Sequence, residues 1–439
     1  MGIFLWLILS VSILVWLSVR YHLHPFIGLL LAALFMGFIG GLPPGELITT
    51  LTGGFGSTIG SIGIVIAAGA IIGEYLEKSG GASVLAGKIL AVAGEKRAPL
   101  AMGVTGYIVS IPVFCDSGFI VLSALNRAIA GRTGISLSVL VVALGSGLYV
   151  THVFVPPTPG PLAAAATLGA DVGWVLMLGL LVSIPVLGVA LLWATKACKA
   201  YMIKVEIPQD ETNNKQEAPA FALALLPILT PILLIALKSI AELPAAPFGE
   251  SAVFSVITFI GEPIISLLIG AALSLLLVRS GKKIRHQWLE AALQKAGLII
   301  LITGAGGAFG AILRQTSLAD FAAGFTDLSS VSLLLPFLIA AFLKTAQGSS
   351  TVAIITTSAL MAPLLTPMGL DDTLARALVV LVIGAGAMTI SHINDSYFWV
   401  VARFSGMDTA TALKTHTIAS LLMGITALIT LQLLALFLI

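Results

Sequence analysis

Charge is what this chain has least of. Only 10% of its 439 residues are Asp, Glu, Lys or Arg, against roughly 25% in a soluble globular domain, so a water-soluble fold is excluded. The 22 basic and 20 acidic residues nearly cancel, and no basic cluster is interleaved with aromatics, so nucleic acid is not an expected partner. Cysteine is almost absent. Cys115 and Cys198 are too few for a disulfide framework and lack metal-ligand spacing, so neither a metal nor a cofactor is expected. The first apolar stretch, Leu5 to Ser18, lacks a basic n-region and is followed almost at once by a second; it reads as a retained helix rather than a signal peptide.

Hydrophobicity fills the space that charge leaves. Apolar residues make up 58% of the chain, the mean hydropathy is +1.09, and the apolar runs approach the roughly 20 residues a bilayer-spanning helix needs. Dyad alternation of the β-barrel kind is missing. The expected fold is an all-α polytopic membrane protein with about ten spanning helices, at about Ile3–Val19, Pro25–Gly41, Thr58–Leu76, Ser138–Thr151, Trp174–Ala194, Phe221–Ile240, Val253–Val278, Gly297–Leu313, Leu374–Ile390 and Ile418–Leu438. Two further stretches, Ala98–Ile129 and Leu333–Thr366, are interrupted by the polar tips Phe114 to Gly118 and Gln347 to Thr351, and read as re-entrant hairpins. Two spans end in segments that cannot stay helical, Thr151 to Pro161 with four prolines in six residues and Ser391 to Ser396; these predict broken helices.

The two halves repeat at a spacing of about 237 residues: Ala67 to Gly73 matches Gly304 to Gly310, Ser123-Ala124-Leu125 matches Ser358-Ala359-Leu360, and Thr151-His152 matches Ser391-His392. Basic loops stay cytoplasmic. With Arg20 inside and alternating spans, every Lys and Arg except Lys238, Arg314, Arg376 and Lys344 collects on the cytoplasmic face. Matching spans then run in opposite directions, giving two inverted-topology repeats, an architecture of secondary transporters. The expected organisation is an N-terminal repeat over 1–200, a cytoplasmic linker over 201–220 around the polar run Pro208 to Glu217, and a C-terminal inverted repeat over 221–439, with both termini periplasmic. Lys282–Leu293, which mixes basic residues, Trp288 and leucines, is expected to lie along the membrane surface.

Non-helical backbone at membrane depth survives only where protein buries it or it lines a water-filled cavity, so the tips and breaks hold the candidate site. Asp116 and Asp395 are the acids expected at mid-depth; an intramembrane carboxylate points to function, the alternative being an acid that holds its own loop together. Asp116, Asp395 and His152 are the candidates for proton coupling, imidazole titrating in the physiological range. Asp116 is favoured over Asp395 because Phe114, Cys115, Gly118 and Phe119 solvate a charge poorly. Asp395, beside Asn394 and Ser396, suits substrate hydroxyls or the positioning of His392. The substrate-binding candidates are Ser117, Gly118, Thr151, His152, Thr158, Lys344, Gln347, Gly348, Ser349, Ser350, Thr351, Ser391, His392, Asn394 and Asp395. Their hydroxyls and amides suit a polyhydroxylated ligand, or else they cap half-helices; Lys344 faces an anion or snorkels outward.

The segments Phe114-Cys115-Asp116-Ser117-Gly118-Phe119, Thr151-His152 with Pro156 to Pro161, Gln347 to Ala353, and Ser391 to Trp399, taken in this order, resemble the signature segments of the gluconate permease family of the ion-transporter superfamily, and the resemblance covers essentially the whole chain. It implies a proton-coupled secondary transporter of gluconate or a related sugar acid in the bacterial inner membrane, not an enzyme. By analogy with hairpin transporters it also implies a homodimer. A passive channel for small organic anions is the alternative; an intramembrane hydrolase using Ser349 or Ser350 lacks a nucleophile elbow.

Overall fold

The computed structural model describes residues 23–201, 203, 218–241, 251–278, 282–316, 333–393 and 395–438, together with 6, 9, 10 and 13. Most of the expected first span and the whole polar run Pro208 to Glu217 of the expected linker lie outside the described residues. Among the described residues every regular element is helical. In chain order they are α1 (Pro25–Ile39), α2 (Pro44–Lys78), α3 (Gly81–Ala93), α4 (Ala98–Val109), α5 (Cys115–Thr133), α6 (Leu137–Phe154), α7 (Pro159–Leu168), α8 (Val172–Lys196), α9 (Phe221–Ala241), α10 (Ala252–Ile260), α11 (Pro263–Ser274), α12 (Lys282–Arg314), α13 (Leu334–Gln347), α14 (Ser350–Met361), α15 (Thr373–Met388), α16 (Ser396–Ser405) and α17 (Ile418–Leu438). Proline begins several of them, as in α1, α2, α7 and α11, because the first helical residue needs no N–H and its φ suits the proline ring.

Each stretch expected as a hairpin contains two helices, α4 and α5 in the first and α13 and α14 in the second, separated at the polar tip. Gly348 turns the second tip at φ 74°, a conformation that glycine adopts without a Cβ clash. The first break differs from expectation: α6 continues through Thr151 and His152 to Phe154. A proline disfavours helical backbone at the residue before it, so Pro156 acts on Val155, which is extended at φ −112°, ψ 112°. The second break runs from Thr389 to Asp395, between α15 and α16. It contains Ile390 at φ 56°, a position a β-branched residue holds only at a cost of about 1–3 kcal/mol.

Among the described residues five helices are long and apolar enough to cross a membrane, or seven if the bent pairs within Pro44–Lys78 and Ala252–Leu277 each count as one span. The expected single span over Val253–Val278 is two helices at 65°, because Pro263 follows Gly261-Glu262 and starts α11 afresh. The expected surface segment Lys282–Leu293 is instead the first part of the 33-residue α12. With no glycine or proline between Trp288 and Gly297, nothing ends the helix, and the end of α2 holds it: Tyr75 donates to the Arg285 carbonyl at 2.6 Å and meets Trp288 edge-on.

Every residue of α6 is buried, and so are most of α15; these two helices form the centre. Helix α6 gets there by close backbone approach, the usual device of membrane helices. It packs on α4, where a Cβ on Gly147 would lie 2.1 Å from the Gly103 carbonyl oxygen. The half-helices that follow the breaks cross over to the opposite hairpins, α7 packing on α14 and α16 on α5.

Candidate functional site

Three helix ends supply the charged groups. Asp116 lies in the first turn of α5 and Asp395 is the N-cap of α16, accepting from the Tyr397 N–H at 3.1 Å. Lys344 lies in the last turn of α13. Each charge therefore opposes the partial charge of its own helix end. Among the described residues Lys344 is the only buried Lys or Arg, at 1% exposure. Its Nζ forms an ion pair with Asp395 Oδ2 and lies 5.9 Å from the centre of the Tyr149 ring. The pair contact is ionic rather than a well-directed hydrogen bond, since Nζ has no partner of that geometry. Lys344 thus does not snorkel.

Asp395 is held from both sides. Its Oδ2 also accepts from Ser391 Oγ. That hydroxyl has one proton, so the 3.2 Å contact between Ser391 Oγ and His416 Nε2 places the imidazole proton on Nε2. The break is tied to the following helix by Thr417 Oγ1 on the Ser391 carbonyl at 2.5 Å and by the Ser391 N–H on Ser420 Oγ at 2.9 Å. His416 itself sits in a π-turn, Leu413–Thr417, ahead of α17; such turns cluster at functional sites. Tyr397 donates to the Gly145 carbonyl at 2.8 Å and stacks obliquely on Tyr149 at 5.2 Å, closing one side of the pair.

Asp116 senses the charges of both Asp395 and Lys344. One of its oxygens, Oδ1, is buried without a hydrogen-bond partner, as are His152 Nδ1 and both polar atoms of the Gln347 amide. Buried polar groups are nearly always satisfied; these orphans lie on the first tip, near the end of α6 and on the second tip, and further unpartnered atoms such as Asn126 Oδ1 and Thr356 Oγ1 lie elsewhere. Phe114 brings the first tip to His152, with ring centres 6.3 Å apart.

Of the residues expected from sequence, the structure thus gathers Asp116, His152, Lys344, Ser391 and Asp395. Others are engaged locally. Thr151 bonds back to the Gly147 carbonyl at 3.3 Å, Thr158 to that of Val155 at 2.6 Å, and Ser349 caps α14 by accepting from the Val352 N–H at 3.3 Å. The His392 imidazole turns away from the Asp395 carboxylate, its Nε2 meeting the Thr345 carbonyl at 3.1 Å, while the His392 carbonyl accepts from the Asp395 N–H at 2.8 Å. Gly118 serves packing, its missing Cβ leaving room for Leu148. Ser350 lies buried beside the Tyr149 hydroxyl, with which it interacts, while Thr351 is part-exposed. Asn394 and the Ser117 side chain lie outside the described residues. Sequence reasoning missed Tyr149, Tyr397 and His416. Tyr397 stands inside a signature segment and was legible there; nothing local marks His416.

A family model described as GntP family permease matches residues 2–437. The chain is 34% identical over 436 residues to the inner membrane permease YgbN of Escherichia coli, covering 95% of this chain and 95% of that protein. It is 32% identical over 439 residues to the gluconate permease of Pseudomonas aeruginosa, covering 97% and 96%. Among solved structures, the YdaH transporter of Alcanivorax borkumensis shares the fold with a TM-score of 0.67 at 16% identity, covering 94% of this chain and 99% of that one.

Proposed function

This chain belongs to the GntP family of permeases, multi-pass inner-membrane transporters rather than enzymes, and from that premise we propose that it imports a sugar acid together with protons by alternating access. The observation that carries the proposal is the cluster itself: one buried cation beside two acids and the unpartnered polar atoms of Asp116, His152 and Gln347. Lys344 receives the carboxylate of the sugar acid, the Gln347 tip and His152 meet its hydroxyls, and Asp116 carries the proton. A relative named gluconate permease makes gluconate the first substrate to try.

The order of elements supports alternating access between inverted repeats. Helix α2, the hairpin α4–α5, the broken pair α6–α7 and α8 are followed, in the same order, by α12, the hairpin α13–α14, the broken pair α15–α16 and α17. With the charge-derived orientation, the linker is cytoplasmic and the termini periplasmic. Pairing of two copies through scaffold helices fits this architecture, and light scattering in detergent tests it; a monomeric mass contradicts it.

Uptake of labelled gluconate into proteoliposomes under an imposed proton gradient, with glycerate, threonate and D-serine as competitors, tests the whole proposal. Accumulation above equilibrium is expected and excludes a channel. Absence of uptake for every candidate acid refutes it.

A further inference from the structure

We infer that Asp395 is an internal stand-in for the substrate carboxylate: it holds Lys344 while the site is empty and is displaced from it when a sugar acid binds. The inference rests on the proposed transport of a sugar acid and adds how substrate and proton become coupled.

The geometry is that of a carboxylate already bound. A single buried lysine is engaged by a single carboxylate, at side-chain exposures of 1% and 4%. Asp395 is held in that position by the Ser391 hydroxyl and the Tyr397 N–H, groups that stay in place if Lys344 leaves it. The contact between Lys344 and Asp395 is an ion pair, so a second carboxylate offers Lys344 the same kind of partner. Unpartnered atoms of Asp116, His152 and Gln347 lie in the same cluster or three residues from Lys344. A carboxylate reaching Lys344 therefore brings its hydroxyls to groups that lack partners.

Charge counting then links the proton to the anion. With Asp116, Asp395 and Lys344 ionised, the empty cluster carries one net negative charge. A monoanion added alone makes it two, with the charge of Asp395 acting on Asp116 and Lys344 spoken for. One proton, bound on Asp116, restores the original charge. The other titratable groups around the pair are Cys115, Tyr149, His152, Tyr397 and His416, and none supplies a second fixed cation. Proton uptake thus follows displacement of Asp395, and the empty carrier returns with Lys344 neutralised by its own chain.

The test is gluconate binding to the full chain in nanodiscs by calorimetry, repeated in buffers of different ionisation heat to count protons. Wild type is expected to take up about one proton per gluconate. Asp395→Asn keeps the N-cap of α16 and removes the competitor. Because a site occupied by its own carboxylate weakens apparent affinity by the fraction left free, this variant is expected to bind gluconate about tenfold more tightly. It takes up close to no proton, since its cluster begins one negative charge poorer. Asp395→Ser, a second capping residue, is expected to behave likewise and guards against a folding defect peculiar to one variant. Wild-type affinity or a full proton count in both variants overturns the inference, as does gluconate binding to wild type without proton uptake. Wild type binding no sugar acid overturns the proposed function as well, so the two failures are distinguishable.

Discussion

Replacing Lys344 by Met tests whether the buried ion pair is a unit. The side chains of Lys344 and Asp395 are 1% and 4% exposed, so solvent screens neither charge, and removing the lysine strands a carboxylate with only Ser391 Oγ and the Tyr397 N–H. Breaking a buried pair in this way costs about 3–5 kcal/mol, which at about 1.4 kcal/mol per decade is about two to four orders of magnitude in the folding equilibrium. The double variant Lys344→Met with Asp395→Asn leaves no stranded charge and keeps the cap, so its loss is expected to be only about 1–2 kcal/mol. The coupling energy of the cycle, the loss of the double variant less those of Lys344→Met and Asp395→Asn, is then at least about 2–3 kcal/mol in magnitude. Unfolding in mixed micelles by titration with SDS, followed by the fluorescence of the native tryptophans, measures all three variants against wild type. A Lys344→Met protein as stable as wild type, or a double variant whose loss equals the sum of the singles, refutes the ion pair as the organising contact.

Asp116→Asn keeps the shape of the first tip but cannot take a proton; uphill uptake driven by a proton gradient should collapse while exchange of labelled for unlabelled substrate survives, and unchanged uphill uptake with unchanged pH dependence removes Asp116 from the coupling role. Gly147→Ala places a Cβ 2.1 Å from the Gly103 carbonyl oxygen, backbone that cannot rotate away, so the same unfolding assay should show a loss of about 1–3 kcal/mol or more; no loss means that α4 and α6 are not locked at that crossing. Arg376 ties α15 to the end of α7 by donating to the Leu168 carbonyl at 2.9 Å and to Asp371 at 2.7 Å, and Arg376→Ala should cost about 1–3 kcal/mol, with Arg376→Lys recovering only part because it cannot reach both carbonyls.

The polar tips, the prolines and the two acids Asp116 and Asp395 were legible in the sequence because each is a local exception to an apolar background. The hairpins at Phe114–Gly118 and Gln347–Thr351 are where polar, glycine-containing stretches interrupt apolar ones, and the structure breaks its helices there. What was not legible depended on contacts distant in sequence. Nothing in the spacing of Lys344 and Asp395 says that they pair, and the pairing gives Lys344 a carboxylate of its own chain while the His392 imidazole turns to the Thr345 carbonyl. Two local misreadings have a common cause. The break after α6 starts at Val155 rather than Thr151 because a proline acts on the residue before it, and α12 absorbs Lys282–Leu293 because an amphipathic composition does not end a helix that has no breaker.

Two carboxylates and a lysine can sit inside an apolar helical protein only if something other than water stabilises them. Here Asp116 and Asp395 occupy the positive ends of α5 and α16, and Lys344 the negative end of α13, each placement contributing about 0.3–1 kcal/mol and up to about 2 when partly buried. Short helices are what make such ends available inside the protein; a continuous span would carry its termini to the surfaces. The prolines at 156 to 161 and the strained backbone at Ile390 therefore belong to the same cause as the charges. They stop helices at depth, and the exposed ends then fix where acids and lysine are tolerated. Because every group in the cluster is held by a helix end or by a side chain from another element, as Asp395 is by Ser391 and Ser391 by Thr417 and Ser420, a change of partner at Lys344 alters the balance between the helices that carry the cluster, which is the condition for a ligand to shift their arrangement.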